Sequence, residues 1–372
     1  MHHTRAPLRR AGLAAILLTL GGAASAEDGI NTTVSGFGTV AGSFTNNENL
    51  QYRHDSTEFT GASNAFDVGT ESRLGLQVVV DFGQALSFTG QEVVKKRQAD
   101  SFSPGTEWLF MQYSPTPDLL LHLGRVAIDT FLLSDSINVG YASIWLRAPN
   151  EVYASEPFKY VDGVQAIWRK SLGPINVKLE AESGAASVDL EIGGVKITQS
   201  AKWAYNTSAT LEYESFLVNF AKTNVDAPLT LPIGPHGLTY ETRDDFIALG
   251  AQYDDGRAIV LTEWTKRTQN DIPIVKKPLA ASSQWYVAAG WHFGSLTPMA
   301  TYGEYLPKIQ LIAPSGSYHT WSGALRYDVM RNVALKAEVS SVQAANARYF
   351  VTPIAHSDEH TTVASIGADF VF

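Results

Sequence analysis

Apolar and polar side chains alternate one for one along most of this chain. Leu74, Leu76, Val78, Val80 and Phe82 share one parity, while Arg73, Gln77 and Asp81 hold the other. Ile175, Val177, Leu179 and Ala181 oppose Asn176, Lys178, Glu180 and Glu182. Val333, Leu335, Ala337 and Val339 oppose Lys336, Glu338 and Ser340. Successive side chains of a strand point to opposite faces, so each segment has one apolar face and one charged face. The end of the chain repeats the pattern: Ala364, Ile366, Ala368, Phe370 and Phe372 fall on one face, and Ser365, Gly367 and Asp369 on the other.

Sixteen such segments are predicted, near 34–44, 72–82, 86–94, 107–114, 118–125, 161–170, 175–183, 203–213, 216–223, 245–253, 258–266, 284–293, 296–305, 319–329, 333–342 and 362–372. Their connections alternate in length. The short ones carry turn residues, as in Ser114-Pro-Thr-Pro117, Ser171-Leu-Gly-Pro174 and Asp254-Asp-Gly-Arg257. The others are much longer. Faces this regularly charged do not line a dry sandwich core. A lipid-facing exterior around a wet interior fits them, and only helices and closed barrels satisfy every backbone hydrogen bond in lipid. No apolar run past residue 26 reaches the roughly 18–20 residues that a membrane helix needs. The predicted fold is therefore all-β: one transmembrane antiparallel β-barrel of 16 strands, with both termini at the short-turn end. Aromatic residues fall where two interfacial belts belong. Phe82, Tyr213, Tyr253, Phe293, Tyr327 and Phe372 sit at turn-side strand ends; Trp203, Trp264, Trp285 and Trp321 sit at loop-side ends.

The amino terminus places the hydrocarbon. Arg5, Arg9 and Arg10 precede the apolar run Ala11 to Ala24, and Ala24-Ser25-Ala26 has the form of a cleavage site. Residues 1–26 thus read as an export signal peptide and 27–372 as the barrel domain, in a bacterial outer membrane. Removing those arginines leaves 25 basic against 37 acidic side chains, a balance of −12. That argues against a nucleic-acid partner. The chain has no cysteine, which excludes disulfides and thiolate chemistry.

A sixteen-strand barrel is too wide for its own side chains to fill. The longest connection, Val126 to Lys159, contains Ile128, Phe131, Leu132, Leu133, Ile137, Val139, Tyr141, Ile144, Trp145 and Leu146. Left in external water this surface would be costly, so the loop is expected to fold into the lumen and form a constriction. Asp129, Asp135 and Glu151 are its candidate acidic members.

These features resemble the Gram-negative general porins, trimeric sixteen-strand diffusion channels. The likeness spans the mature chain and rests on Ser35-Gly-Phe-Gly38, Glu71-Ser-Arg-Leu-Gly-Leu-Gln77, Gly124-Arg125 before the long loop, Asp162-Gly163 after it, Leu325-Arg-Tyr-Asp328 and Ala368-Asp-Phe-Val-Phe372. The resemblance implies a homotrimer in contact with outer-membrane lipids, no cofactor, and a terminal Phe372 acting as membrane-insertion signal. It further implies a basic pore wall facing the loop carboxylates. By phase, that wall is Arg73, Arg125, Lys178, Arg326 and Lys336. The loop departs from the short acidic tip of the best-known members, reading Phe131-Leu-Leu-Ser-Asp-Ser136 and Asn138-Val-Gly-Tyr-Ala142.

The expected function is passive diffusion of small hydrophilic solutes and ions, without catalysis. One alternative is a substrate-selective channel with Tyr141, Trp145 and Tyr153 as a ladder for an anion, sugar or aromatic acid. Another is a non-channel barrel such as an adhesin. His356-Ser-Asp-Glu-His360 follows the H-x-x-E-H order of a zinc site, which requires a helix to converge the two rings. Pro353 precedes it and the last strand follows, and in extended chain the rings stand about 13 Å apart, so no metal site is expected.

Overall fold

The computed structural model describes residues 24–25, 29–48, 51–54, 57–58, 60–83, 85–97, 101–192, 195–231, 238–272, 277–278, 280–310, 317–344, 350–351 and 359–372. The first 23 residues of the predicted signal peptide, and Ala26, lie outside them. Sixteen long strands form one sheet: β1 Asn31–Thr45, β2 Arg73–Asp81, β3 Leu86–Lys96, β4 Phe102–Thr116, β5 Leu119–Ala127, β6 Tyr160–Leu172, β7 Ile175–Ile192 and β8 Val195–Tyr213. It continues through β9 Phe216–Asp226, β10 Arg243–Asp254, β11 Ala258–Gln269, β12 Ala280–Trp291, β13 Leu296–Gln310, β14 Tyr318–Met330, β15 Val333–Ala344 and β16 Glu359–Val371. Each strand pairs antiparallel with its neighbours in sequence, and β1 pairs with both β2 and β16, which closes the barrel.

The two faces are as the alternation requires. Val40, Leu123, Trp321 and Ile366 are 64%, 65%, 60% and 61% exposed on the outer surface. Lys336, Glu338 and Asp369, facing in from β15 and β16, are 2%, 3% and 0% exposed. A soluble protein reverses this arrangement, so the outer surface is matched to hydrocarbon. Closure also depends on two glycines of β1. A Cβ on Gly36 would lie 2.2 Å from the Phe372 ring, and one on Gly38 would lie 2.4 Å from that of Phe370. The terminal aromatics lie across this gap while Phe372 and Gly36 exchange backbone hydrogen bonds of 2.8 and 2.9 Å.

The sequence reading is corrected at β7 and β8. Strands ending at 183 and restarting at 203 were expected; instead one tall hairpin continues to Ile192 and resumes at Val195. The apolar parity inverts above the membrane. Leu179 points outward, but Ala186 and Leu190 point inward and are buried. Ala186, with Ala201 and Ala204, packs on Val126, Ile128, Phe158 and Val161 at the base of the long loop. A bulge between Ala201 and Ala204 accompanies the change.

Candidate functional site

The loop 128–159 enters the lumen as expected. Its base closes through Ile128 N–H to the Lys159 carbonyl at 3.0 Å. It carries two short 3-10 turns, Ser134–Ser136 and Gly140–Ala142, and one helical turn, α1 Asn150–Tyr153. Phe131, Leu133, Ile144, Trp145 and Val152 are buried against Phe246, Ile259, Leu261, Tyr286 and Met299 of β10–β13. Phe131 meets Phe246 edge-on at 5.6 Å, and Trp145 meets Tyr286 likewise at 5.9 Å. Burying one such side chain stabilises by about 1.5–3 kcal/mol, which is why this part of the inner wall is apolar.

Polar wall groups fix the loop's path. Glu263 of β11 accepts from the Leu132 N–H at 3.0 Å, from the Tyr286 hydroxyl at 2.9 Å, and from the Tyr153 hydroxyl. Lys336 donates to the carbonyls of Gly140 and Trp145 at 2.7 and 2.8 Å and pairs with Asp369 at 2.7 Å. Arg326 donates to the carbonyls of Tyr141 and Ser143 at 2.5 and 2.8 Å, and pairs with Asp328. Both cations therefore act as clamps on the loop backbone. Lys178 joins Asp129 at 3.1 Å, Glu180 at 2.8 Å and Asp135 at 3.8 Å, so it brings a predicted wall cation to two predicted loop acids.

Two predicted positions are placed differently. Arg125 shares the parity of Leu121 and Leu123 and stands on the outer rim. There it grips Asp162 through two hydrogen bonds of 2.7 and 2.8 Å and covers the Tyr160 ring at 4.0 Å. The phase argument failed because β5 turns its even residues, His122 and Val126, to the lumen. Among the described residues Glu151 pairs with no cation: it is buried beside Gly303 and accepts a hydrogen bond from Thr320. Burial pushes its carboxyl above the ordinary range. The folded protein therefore holds the Glu151 proton to higher pH than the unfolded chain does, and its stability falls as pH rises through that interval. Glu151→Gln is expected to stabilise the protein by about 1–3 kcal/mol at pH 8, a gain that disappears on acidification. Parallel thermal unfolding curves of the two proteins from pH 4 to 8, with a constant offset, would contradict this.

The loop also carries a cation that the alternation did not single out. Arg147, 4% exposed, pairs with Glu71 at 3.1 Å and Glu338 at 3.0 Å, and donates to Ser340 at 3.0 Å and to Ser365. Burial raises the Glu71 carboxyl, but Arg147, His54 and Arg73 together outweigh it and hold the group below its ordinary value. One positive charge inside Ile144-Trp-Leu-Arg-Ala148 was the available signal, because a lone charge within an apolar run needs a buried partner.

Open space remains between the loop and strands β2–β4. Two adjoining spaces of about 570 and 710 Å³ share Glu107, Ile137, Asn138, Tyr153 and Lys159. Arg73 and Lys95 line one space and Asp135 the other. Arg73 is thus where the wall reading put it. Lys95 was missed because the predicted strand stopped at residue 94; extending the parity of Gln91 and Val93 by one step turns Lys95 inward. The proposed aromatic ladder does not form. Trp145 is buried with Nε1 on Thr301, the Tyr141 hydroxyl donates to the Arg331 carbonyl, and that of Tyr153 is held by Glu263. Of the H-x-x-E-H residues, His356 lies outside the described residues and His360 bonds Ser341 at 2.7 Å.

No protein-family description matches this chain, and no curated protein does. Solved structures do. The anion-selective porin of Comamonas acidovorans superposes with a TM-score of 0.61 at 14% identity, covering 92% of this chain and 100% of that one. OmpF of Salmonella typhi, solved with daunomycin, gives 0.59 at 13%, covering 94% and 99%. The trimer form of OmpT, an outer membrane protein of Vibrio cholerae, gives 0.56 at 12%, covering 92% and 99%. The chain has the closed sixteen-strand fold of outer-membrane porins, with the long third loop turned inward.

Proposed function

We propose that this protein is a passive channel of a bacterial outer membrane, admitting small hydrophilic solutes and ions without catalysis or cofactor. The observation that carries this reading is the pairing of an apolar exterior with a charged interior that the inward loop narrows without lining β2–β4. A wall bearing Arg73 and Lys95 across from Asp135 sets a transverse field in the remaining passage, where low-dielectric walls strengthen it. Residues 1–26 would serve as the export signal, and residues 27–372 would assemble as a homotrimer, for which the trimeric Vibrio cholerae relative in fold is the support.

Purified protein added to a planar lipid bilayer should produce discrete, ohmic current steps, grouped in threes if the trimer inserts as a unit. Folded, membrane-inserted protein that leaves the bilayer non-conducting would overturn the channel and favour an adhesive or structural barrel.

A further inference from the structure

The passage has a chemical character that a general diffusion pore does not require. On its wall, Arg73 and Lys95 are direct cross-strand partners on the lumen face of β2 and β3. Like charges so placed repel. The carboxylate that could relieve them is shared: Glu107 lies 3.0 Å from Arg97 and 3.8 Å from Lys95. Among the described residues, Lys95 otherwise reaches the Asn138 amide oxygen, at 3.3 Å. Of the other acids beside the passage, Glu71 is engaged by Arg147, Asp135 lies 3.8 Å from Lys178, and Glu58 accepts the His54 N–H at 3.0 Å. Arg73 Nε is buried with no hydrogen-bond partner among the described residues. Arg73 as a residue is half-buried and lines the open space, which leaves its positive charge beside a passing acceptor. Lys159, whose Nζ donates to the Tyr153 carbonyl at 2.7 Å and sits 5.3 Å over the Phe131 ring, adds a third positive charge.

The adjoining half of the passage carries an apolar strip beside Asp135, which lies 3.8 Å from Lys178. Trp108, Ile137 and Val139 are half-exposed there, on the wall and on the loop facing it, and Ile137 borders both halves. Inorganic ions and sugars gain nothing from such a surface. We infer that the passage binds and conducts organic monocarboxylates with an apolar body, the carboxylate held by Arg73, Lys95 and Lys159 and the body lying along Ile137, Trp108 and Val139. This rests on the channel reading above and names the solute class of the same passage.

The test uses the whole protein in planar bilayers at low ionic strength, with 3-phenylpropanoate as probe and acetate and 3-phenylpropanol as controls. The acid should reduce the chloride current saturably, with a half-effect concentration about tenfold below that of acetate, since only the acid combines charge with buried apolar area. The neutral alcohol should be inert. Arg73→Gln should raise the half-effect concentration about tenfold by removing a charge-assisted hydrogen bond. Lys95→Gln is the second variant, read the same way should the first not insert. Equal, non-saturating responses to 3-phenylpropanoate and acetate would overturn the inference while leaving the channel standing. Saturable block unaltered in both variants would overturn the assigned residues. Absence of any chloride current would instead overturn the channel reading itself.

Discussion

Replacing Arg147 by alanine is expected to cost about 3–5 kcal/mol of stability and to free the first and third loops from each other. The Arg147 guanidinium lies between Glu71, in the first long loop, and Glu338 on β15, under the Tyr52 ring at 5.1 Å. Truncation leaves both buried carboxylates without their guanidinium partner, with His54, 3.7 Å from Glu71, as the nearest substitute for one of them. Removing one partner of a buried ion pair is far more damaging than removing the whole set. Arg147→Met combined with Glu71→Gln and Glu338→Gln should therefore recover most of the loss. Thermal unfolding measures the first effect. The second appears as frequent brief closures in single-channel records, because Glu338 also accepts the Leu146 N–H at 3.0 Å and helps set the loop's height in the lumen. An Arg147→Ala protein that melts with the parent and conducts quietly would show that the pair does not hold the loop.

What was legible in the sequence was whatever a period of two encodes. The parity that set Leu335 and Val339 against Lys336 and Glu338 gave the membrane face, the strand count and the closure, because lipid outside and water inside reward the same alternation on every strand. Where the surroundings change, the code changes. Above the membrane the β7–β8 hairpin turns Ala186, Ala201 and Ala204 inward onto the loop base, where apolar-outward parity no longer holds. The loop's inward fold was visible from its apolar content, but its partners were not. Lys336 and Arg326, expected on the pore wall opposite loop carboxylates, are instead spent on loop carbonyls. Which lumen cation stays open to a solute depends on where the loop lies, and parity does not contain that. Arg73 stays open because the apolar side chains of the loop draw it onto β10–β13, away from β2–β4.

The same asymmetry makes loop removal the most direct probe of conduction. Excising residues 130–146 and bridging the gap with a short Gly-Ser linker should raise single-channel conductance several-fold, since a bare sixteen-strand barrel encloses a wide aqueous channel. The deletion removes Asp135, Asn138, Ile137 and Val139, one whole side of the passage, while Arg73 and Lys95 stay on the wall. Current should therefore rise while block by 3-phenylpropanoate fades, since the remaining cations act in a wider, better-screened lumen. The shortened protein should also melt earlier, because Phe246, Ile259 and Tyr286 lose the side chains that cover them. Conductance unchanged by the deletion would mean that the narrowest point lies elsewhere, and the constriction would have to be sought among the external loops.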